Sequence, residues 1–170
     1  MKYIFANIFI FGLTLVSVNS FAQTDTTYAR SSAESRQFDF WVGEWDLAWS
    51  DAGSGTNTIV KEYGSCVIHE NFSSPLSNFL GQSFSVYNST KKTWEQTWID
   101  NQNSYMLFRG GMVNKEMILN LITEKPDNMK RMRFTNISKN SFNWYWEASK
   151  DDGNTWNTLW LIHYKRKNTK

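Results

Sequence analysis

The sequence predicts an all-β protein, an antiparallel barrel of about nine to ten strands preceded by a short N-terminal helix. From Thr56 onward, β-branched and aromatic runs alternate with short clusters of Gly, Asn, Asp and Ser, which is typical of barrels and sandwiches. These clusters are long enough for hairpins but leave no room for a crossover helix, which disfavours parallel strands. A long antiparallel sheet exposes its edges, and closure into a barrel removes them.

The first 22 residues have the pattern of a secretory signal peptide. Lys2 supplies the positive charge, residues 3–18 are mostly apolar, and Ser20-Phe21-Ala22 offers small residues for cleavage. A membrane anchor is the alternative, but the apolar stretch falls short of the ~20 residues that a span needs and lacks a basic flank. We therefore expect export to the periplasm or the medium, with no membrane contact after the signal is removed.

The amino-acid composition argues against some classes of binding partner and indicates how the core is built. The formal net charge of +2 predicts no electrostatic surface for nucleic acid or anionic membrane. Cys66 is the single cysteine, so no internal disulfide can form, and we interpret it as a small buried hydrophobic residue. Nine Trp and twelve Phe supply the core instead. We expect a flexible leader over residues 23–31 and one barrel domain over 32–167.

The short helix and the first strand meet at Gly43. Ser31 and Glu34 have the spacing of a capping box, so a helix is predicted to begin at Ser32. Phe38, Trp41 and Val42 share one helical face, and Gly43 is suited to end the helix. Beyond it the period becomes two, as in a half-buried strand. We expect this aromatic helix to plug one end of the barrel.

The remaining strands follow the same alternation of period two. The predicted connections contain Gly, Asn, Asp, Ser, Lys or Pro, which are common in hairpin turns. Predicted strands lie near 44–50, 57–72, 80–88, 92–100, 104–112, 115–123, 130–138, 141–149 and 156–166.

Three strands carry the candidate binding residues, because residues two apart share a face. One face combines Trp94 and Trp98 with Gln96 and Asp100; two tryptophans favour an inward orientation, which would place Asp100 at the rim. Another inward face carries Cys66, Ile68, Glu70 and Phe72, and a third carries Phe142, Trp144 and Trp146.

Glu70 is the candidate buried carboxylate, with Arg133 as its proposed partner. Burial would raise the pKa of Glu70 and a nearby cation would lower it. A structural ion pair or a charge at the rim is the alternative to a group that fixes a ligand in an aromatic cavity.

Two motifs carry a resemblance to a known family. Gly43-Glu44-Trp45 has the G-x-W form of the first strand in lipocalins and related calycin barrels, and residues 149–156 match the S-x-D-x-G-x-T-W pattern called the Asp-box. Together with Cys66-Val-Ile-His-Glu70 and Trp94-Glu-Gln-Thr-Trp-Ile-Asp100, the chain resembles a family of exported, lipocalin-like barrels whose domain has no known function. The resemblance spans roughly residues 38–166 and implies the fold but no activity.

A more distant likeness to nitrobindin-type haem barrels raises the question of a cofactor. That likeness implies a late histidine as the axial ligand, and His163 is the candidate, sharing a face with Leu159 and Leu161. The glycine-rich stretch that follows G-x-W in those barrels is missing here, so the expected cofactor is none, with haem as the alternative. The two histidines and one cysteine show no zinc spacing, and no metal site is predicted.

We interpret the Asp-box as a structural motif that stabilises a hairpin turn. Asp151 or Asp152 would accept the amides of a turn, Gly153 would take a positive φ and Trp156 would pack under the turn. A calcium loop is the alternative, but one turn lacks the ligands that calcium requires.

Three functions remain open from the sequence. The first is binding of a small apolar or amphipathic molecule among Trp98, Trp144 and Trp146. The second is an enzyme that performs proton transfer or cyclisation on a bound apolar substrate, with Glu70 as general acid or base and Arg133 stabilising charge. The third is an interaction role for the outside of the barrel.

Overall fold

The computed structural model shows a closed barrel of antiparallel strands and describes Arg30 and residues 32–50, 52–123 and 128–168. The strands are β1 Gly43–Ala48, β2 Ser54–Glu62, β3 Val67–Ser74, β4 Phe79–Asn88, β5 Thr93–Asp100, β6 Tyr105–Val113, β7 Glu116–Leu121, β8 Met129–Thr135, β9 Ser141–Ser149 and β10 Asn157–Arg166. Each pairs with its neighbours in sequence, and β1 pairs with β10 to close the ring. The predicted all-β antiparallel barrel is therefore confirmed.

Some predictions fall outside the described residues. These are the signal peptide over residues 1–22, nearly all of the leader over 23–31, and the proposed cap Ser31. Within the described ranges, no helix is long and apolar enough to cross a membrane.

The long strand predicted over 57–72 is wrong, because a tight turn divides it into β2 and β3. Tyr63, Gly64 and Ser65 all have a positive φ, and the amide of Cys66 donates to the carbonyl of Tyr63. Cys66 therefore lies half-buried in a turn rather than inside the barrel. Its predicted place on an inward face is wrong, whereas Ile68, two residues later, is fully buried.

The segment of residues 32–42 plugs one end of the barrel, as expected, and the helix within it is a short 3-10 helix over Glu34–Arg36. The hydroxyl of Ser32 accepts from the amide of Ser35, but Ala33 occupies the N-cap position of this helix. Phe38 and Trp41 are buried beneath the barrel wall. The ring of Phe38 meets those of Trp94 and Phe134 edge to face, at centroid distances of 4.8 and 5.7 Å.

A single arginine of β10 ties this plug to the barrel. The guanidinium of Arg166 donates to the carbonyl oxygens of Phe40 and Val42 at 3.1 and 2.8 Å, and it lies 4.1 Å from the ring centroid of Trp45. Gly43 has φ +133°, and a Cβ at this position would collide with that guanidinium. The residue must therefore be glycine both for its conformation and for the close approach.

The opposite end of the barrel carries the β1–β2, β3–β4, β5–β6 and β9–β10 connections. In the last of these, the Asp151 carboxylate accepts from the amide and hydroxyl of Thr155 at 2.8 and 2.6 Å, and Gly153 has φ +85°. The indole of Trp156 donates to the carbonyl of Gly153. These contacts match the structural interpretation of the motif, because its polar groups are used within the turn.

We expect Phe38→Ala to lower the free energy of unfolding by about 3–5 kcal/mol, because the substitution leaves a cavity within the plug. Chemical denaturation measures this loss. Tyr105→Ala is the matched control, since Tyr105 lies on the outer face and is 69% exposed; we expect a change within about 0.5 kcal/mol. Equal effects of the two substitutions would show that the plug does not contribute to stability.

Candidate functional site

The barrel interior contains a cavity of about 260 Å³. Barrels of about eight strands can fill their interiors with side chains, and a larger number of strands leaves more room. The plug fills one end, with Trp41 at the floor of the cavity, while Gln102 and Ser104 after β5 lie at its mouth. The lining includes five tryptophans and three phenylalanines, so the wall is largely aromatic.

The predicted tryptophans lie on this wall. Trp98 of β5 and Trp144 and Trp146 of β9 all line the cavity and are partly buried. The ring of Trp98 lies 6.2 Å from that of Phe72, and that of Trp144 lies 5.7 Å from that of Trp160, edge to face. These contacts pack the indoles against neighbouring rings around an open volume.

Glu70 of β3 lies deep inside the barrel and lines the cavity, as predicted. The side-chain amide of Asn57 donates to its Oε1 at 2.6 Å, and the hydroxyl of Ser83 donates to its Oε2 at 2.5 Å. Asn57 also donates to the hydroxyl oxygen of Tyr164 at 3.1 Å. β2, β3, β4 and β10 thus contribute one polar residue each to a small hydrogen-bonded group within an apolar interior.

Burial has the largest influence on the pKa of the Glu70 carboxyl group. It raises the pKa of Glu70 from 4.5 to about 7, although the hydrogen bonds from Ser83 and Asn57 favour the charged form. Burial, followed by the charge of Glu70, raises the pKa of Tyr164 well above 10. The phenol therefore stays protonated, while Glu70 exchanges its proton near neutrality.

Some polar atoms in the interior lack a partner. In the described part of the chain, the Oδ1 of Asn57, the Oε1 of Gln96 and the indole nitrogen of Trp41 are buried without a hydrogen bond. Buried polar groups are normally paired, and of these three residues Trp41 lines the cavity. Gln96 faces inward as predicted, but it donates to Ser85 at 2.8 Å and does not line the cavity.

Asp100 occupies the mouth, as predicted. Its Oδ2 accepts from the indole of Trp98 at 2.8 Å, and its Oδ1 accepts from the amides of Gln102 and Ser104 at 2.9 and 3.0 Å. Burial opposes ionisation, but these hydrogen bonds outweigh it and lower the pKa of Asp100. A fixed negative charge therefore stands beside the entrance and orients one of the wall indoles.

The proposed pairing of Arg133 with Glu70 is wrong. Arg133 lies on the outer face of β8, where it pairs with Glu147 at 2.8 Å and with Glu116 at 3.3 Å. Met132 occupies the inward position of this strand and lines the cavity. Glu147 is buried although it lies on the outside, because Arg131 and Arg133 cover it.

The inward orientation predicted for His163 is also wrong. Its ring is exposed and contacts the Oδ1 of Asn143 on the outside of the barrel at 2.9 Å. His163 shares this outer face with Leu159, which is 55% exposed, while Ile162 and Tyr164 on the other face are buried. The geometric basis for an axial ligand at His163 is therefore lost.

Several residues of the site escaped the sequence reasoning. Trp160, Ile162 and Tyr164 of β10 line the cavity. Their spacing of two is visible in the sequence, but the sequence analysis predicts the opposite face, that of His163, as inward. Asn57 and Ser83 carry no sequence signal, because their role depends on facing Glu70 across two strand pairs. Among the described residues, no group of His, Cys, Asp and Glu is arranged to hold a metal ion.

The raised pKa of Glu70 predicts a loss of stability with rising pH. Between 4.5 and about 7 the folded state holds more protons than the unfolded state, so the free energy of unfolding falls as pH rises. The loss amounts to about 3 kcal/mol. Denaturation of Glu70→Gln at several pH values should show a flatter profile than that of the wild type.

Glu95→Gln is the control for this measurement. Hydrogen bonds from Lys91 and Asn88 lower the pKa of Glu95 to about 2, so this carboxylate contributes no change near neutrality. We expect its variant to keep the slope of the wild type there. Parallel profiles for wild type and Glu70→Gln would contradict the assignment.

Comparison with known proteins adds no family to this geometry. No family model matches the chain, and no curated protein matches it either. The likeness to exported lipocalin-like barrels stays a prediction from the sequence motifs.

Proposed function

We propose that this protein is an exported barrel that binds a small apolar or amphipathic molecule in its aromatic cavity. The observation that carries the proposal is an unfilled volume of about 260 Å³ within an otherwise packed interior. Side chains can fill the interior of a small barrel, and burying further apolar side chains there would add stability. The volume left open therefore favours a binding role over a purely structural one.

The lining fits the general character of ligand sites. Such sites are concave and mostly apolar, with a few polar groups that fix orientation. Here the aromatic wall is joined by Glu70 at the floor and Asp100 at the mouth. The volume corresponds to roughly nine molecules of liquid water at ~30 Å³ each, which favours a compact occupant over a long lipid.

Export is the second part of the proposal. It is supported by the charged start, apolar stretch and small cleavage residues within residues 1–22. An exported barrel with a wall of this kind would meet its occupant in the periplasm or the medium.

A larger side chain inside the cavity should weaken the binding of a small apolar molecule. We expect N-phenylnaphthylamine, a neutral apolar fluorophore, to bind one per chain and to brighten as it enters the aromatic interior. Met106→Trp adds an indole where Met106 lines the cavity and should weaken this binding at least tenfold. A fluorescence titration gives both affinities.

The neighbouring residue provides the matched control. Leu107 points outward and is 38% exposed, so Leu107→Trp adds the same indole outside the cavity and should leave the affinity unchanged. Equal loss in both variants, or no binding to the wild type, would contradict the proposal. Native mass spectrometry of protein from its own source should also show a small molecule that co-purifies.

One observation favours acid–base catalysis as a second candidate function. Glu70 has a pKa of about 7 at the floor of an apolar cavity, and a general base is most effective when its pKa lies near the working pH. The hydroxyl of Tyr164, held by Asn57, is a donor beside it. Arg133 has no part in this arrangement, because it lies outside.

Ring opening of benzisoxazole tests whether Glu70 acts as a base. A carboxylate removes the proton on the ring carbon, the nitrogen–oxygen bond breaks, and a cyanophenolate is released. We expect a rate about 10²-fold above that with acetate, rising with pH through about 7. Glu70→Gln should lose the acceleration and Glu95→Gln should keep it; a rate unaffected by Glu70→Gln would contradict this candidate.

A further inference from the structure

The charged groups along the cavity have one sign. Among the lining residues that the structure describes, Glu70 and Asp100 are acidic and none is Lys, Arg or His. They lie at opposite ends of the cavity, one at the floor and one at the mouth. An anion that enters would meet both carboxyl groups without a basic partner on the lining.

Most of the cavity wall is aromatic, and tryptophan is its most frequent residue. Trp98, Trp144, Trp146 and Trp160 contribute four indoles from three strands. The face of an aromatic ring is negative, and it attracts a cation within about 6 Å of its centroid, most strongly for Trp. This attraction is larger in a site shielded from water.

Glu70 retains capacity for another donor. A carboxylate has about four acceptor positions, and two are used, by Asn57 and Ser83. A buried charge is costly unless it is paired, so an ammonium group beside Glu70 would offset the cost for both partners.

Basic side chains occur near the barrel, and one of them, Lys130, shares a face of β8 with the inward-facing Met132. Lys130 lies with its ammonium 5.9 Å from the ring centroid of Trp146, yet it is not part of the cavity lining. Its position shows that a wall indole already accepts a cation on one side. Arg131 and Arg133 are committed to Glu147 on the outer surface.

We propose that the cavity selects a small organic cation, an aromatic or alkyl ammonium compound, over neutral and anionic molecules of the same size. The ammonium group pairs with Glu70, and the apolar part packs against the indoles. This inference rests on the proposed binding function and specifies the chemical class of its occupant.

Binding of a cation is then linked to the release of a proton. The groups that face Glu70 are Asn57, Ser83 and Tyr164, while Asp100 stands at the mouth. His69 lies on the other face of the same strand, stacked on Phe84, and also acts electrostatically on Glu70. Asn57 and Ser83 carry no charge and Tyr164 remains neutral, so Glu70 is the interior group that titrates near neutrality. With its pKa of about 7, the affinity for an amine should rise about tenfold from about pH 6 to about pH 8.

Three compounds with one apolar body test the selection: phenylbutylamine, phenylbutanol and phenylbutyrate, which are positive, neutral and negative at neutral pH. Isothermal titration calorimetry of the full protein gives the three affinities. We expect the amine to bind at least tenfold more tightly than the alcohol and the carboxylate to bind most weakly. Repeating the amine titration in two buffers of different ionisation enthalpy measures the released proton.

Two variants assign the effect to Glu70. Glu70→Gln should bring the affinity for the amine to within about threefold of that for the alcohol, because it removes the buried charge but keeps the shape. Glu95→Gln removes the same charge from the outer surface and should leave all three affinities unchanged. If Glu70→Gln does not fold, the pH dependence of the amine affinity in the wild type decides instead.

The outcomes separate this inference from the function on which it rests. If the alcohol binds as tightly as the amine, or the carboxylate binds best, the cation selection is overturned while the binding function stands. If none of the three compounds binds to the wild type, both fall. An amine affinity that does not change between about pH 6 and about pH 8 also overturns the proposal, since the calculated change is about tenfold.

Discussion

The structure depends on the pairing of β1 with β10, which closes a sheet too wide for its own side chains to fill. Closure removes the exposed edges and also encloses a volume. The segment of residues 32–42 fills one end of that volume with aromatic side chains. The other end remains open, and the cavity follows from this difference between the two ends.

Within that enclosure, Glu70 places a buried carboxyl group in a largely aromatic interior. Its carboxyl group is tolerated because residues from three other strands turn toward it, two as direct donors to its oxygens. These donors do not fully compensate for burial, and the pKa of Glu70 settles near neutrality. This raised pKa of Glu70 underlies the predicted dependence of stability on pH, the proposed proton transfer and the proposed affinity for cations.

The alternation of period two was enough to predict most of the wall. It placed Trp98, Trp144 and Glu70 inside because each shares a strand face with other bulky apolar residues. It failed at β10, because alternation shows that His163 shares a face with Leu159 but does not show which face of the strand points inward. It also missed the turn at Gly64, because the β-branched runs on both sides read as one strand.

Contacts between residues distant in the chain could not be predicted in this way. The group around Glu70 joins four strands, and the choice of Glu147 as the partner of Arg133 depends on which charges meet across the outer face. A pattern along one strand shows which residues share a face. It does not show which residues of other strands they meet.

The tether formed by Arg166 has a consequence for the order of folding. The residues it joins are separated by 124 and 126 positions, and contacts of such separation form slowly because a long loop must close first. β10 therefore both holds the plug, through Arg166, and closes the barrel by pairing with β1. Until that strand docks, β1 and β9 expose unpaired edges at which other chains can add, so we expect the nascent protein to be prone to aggregate before β10 is made.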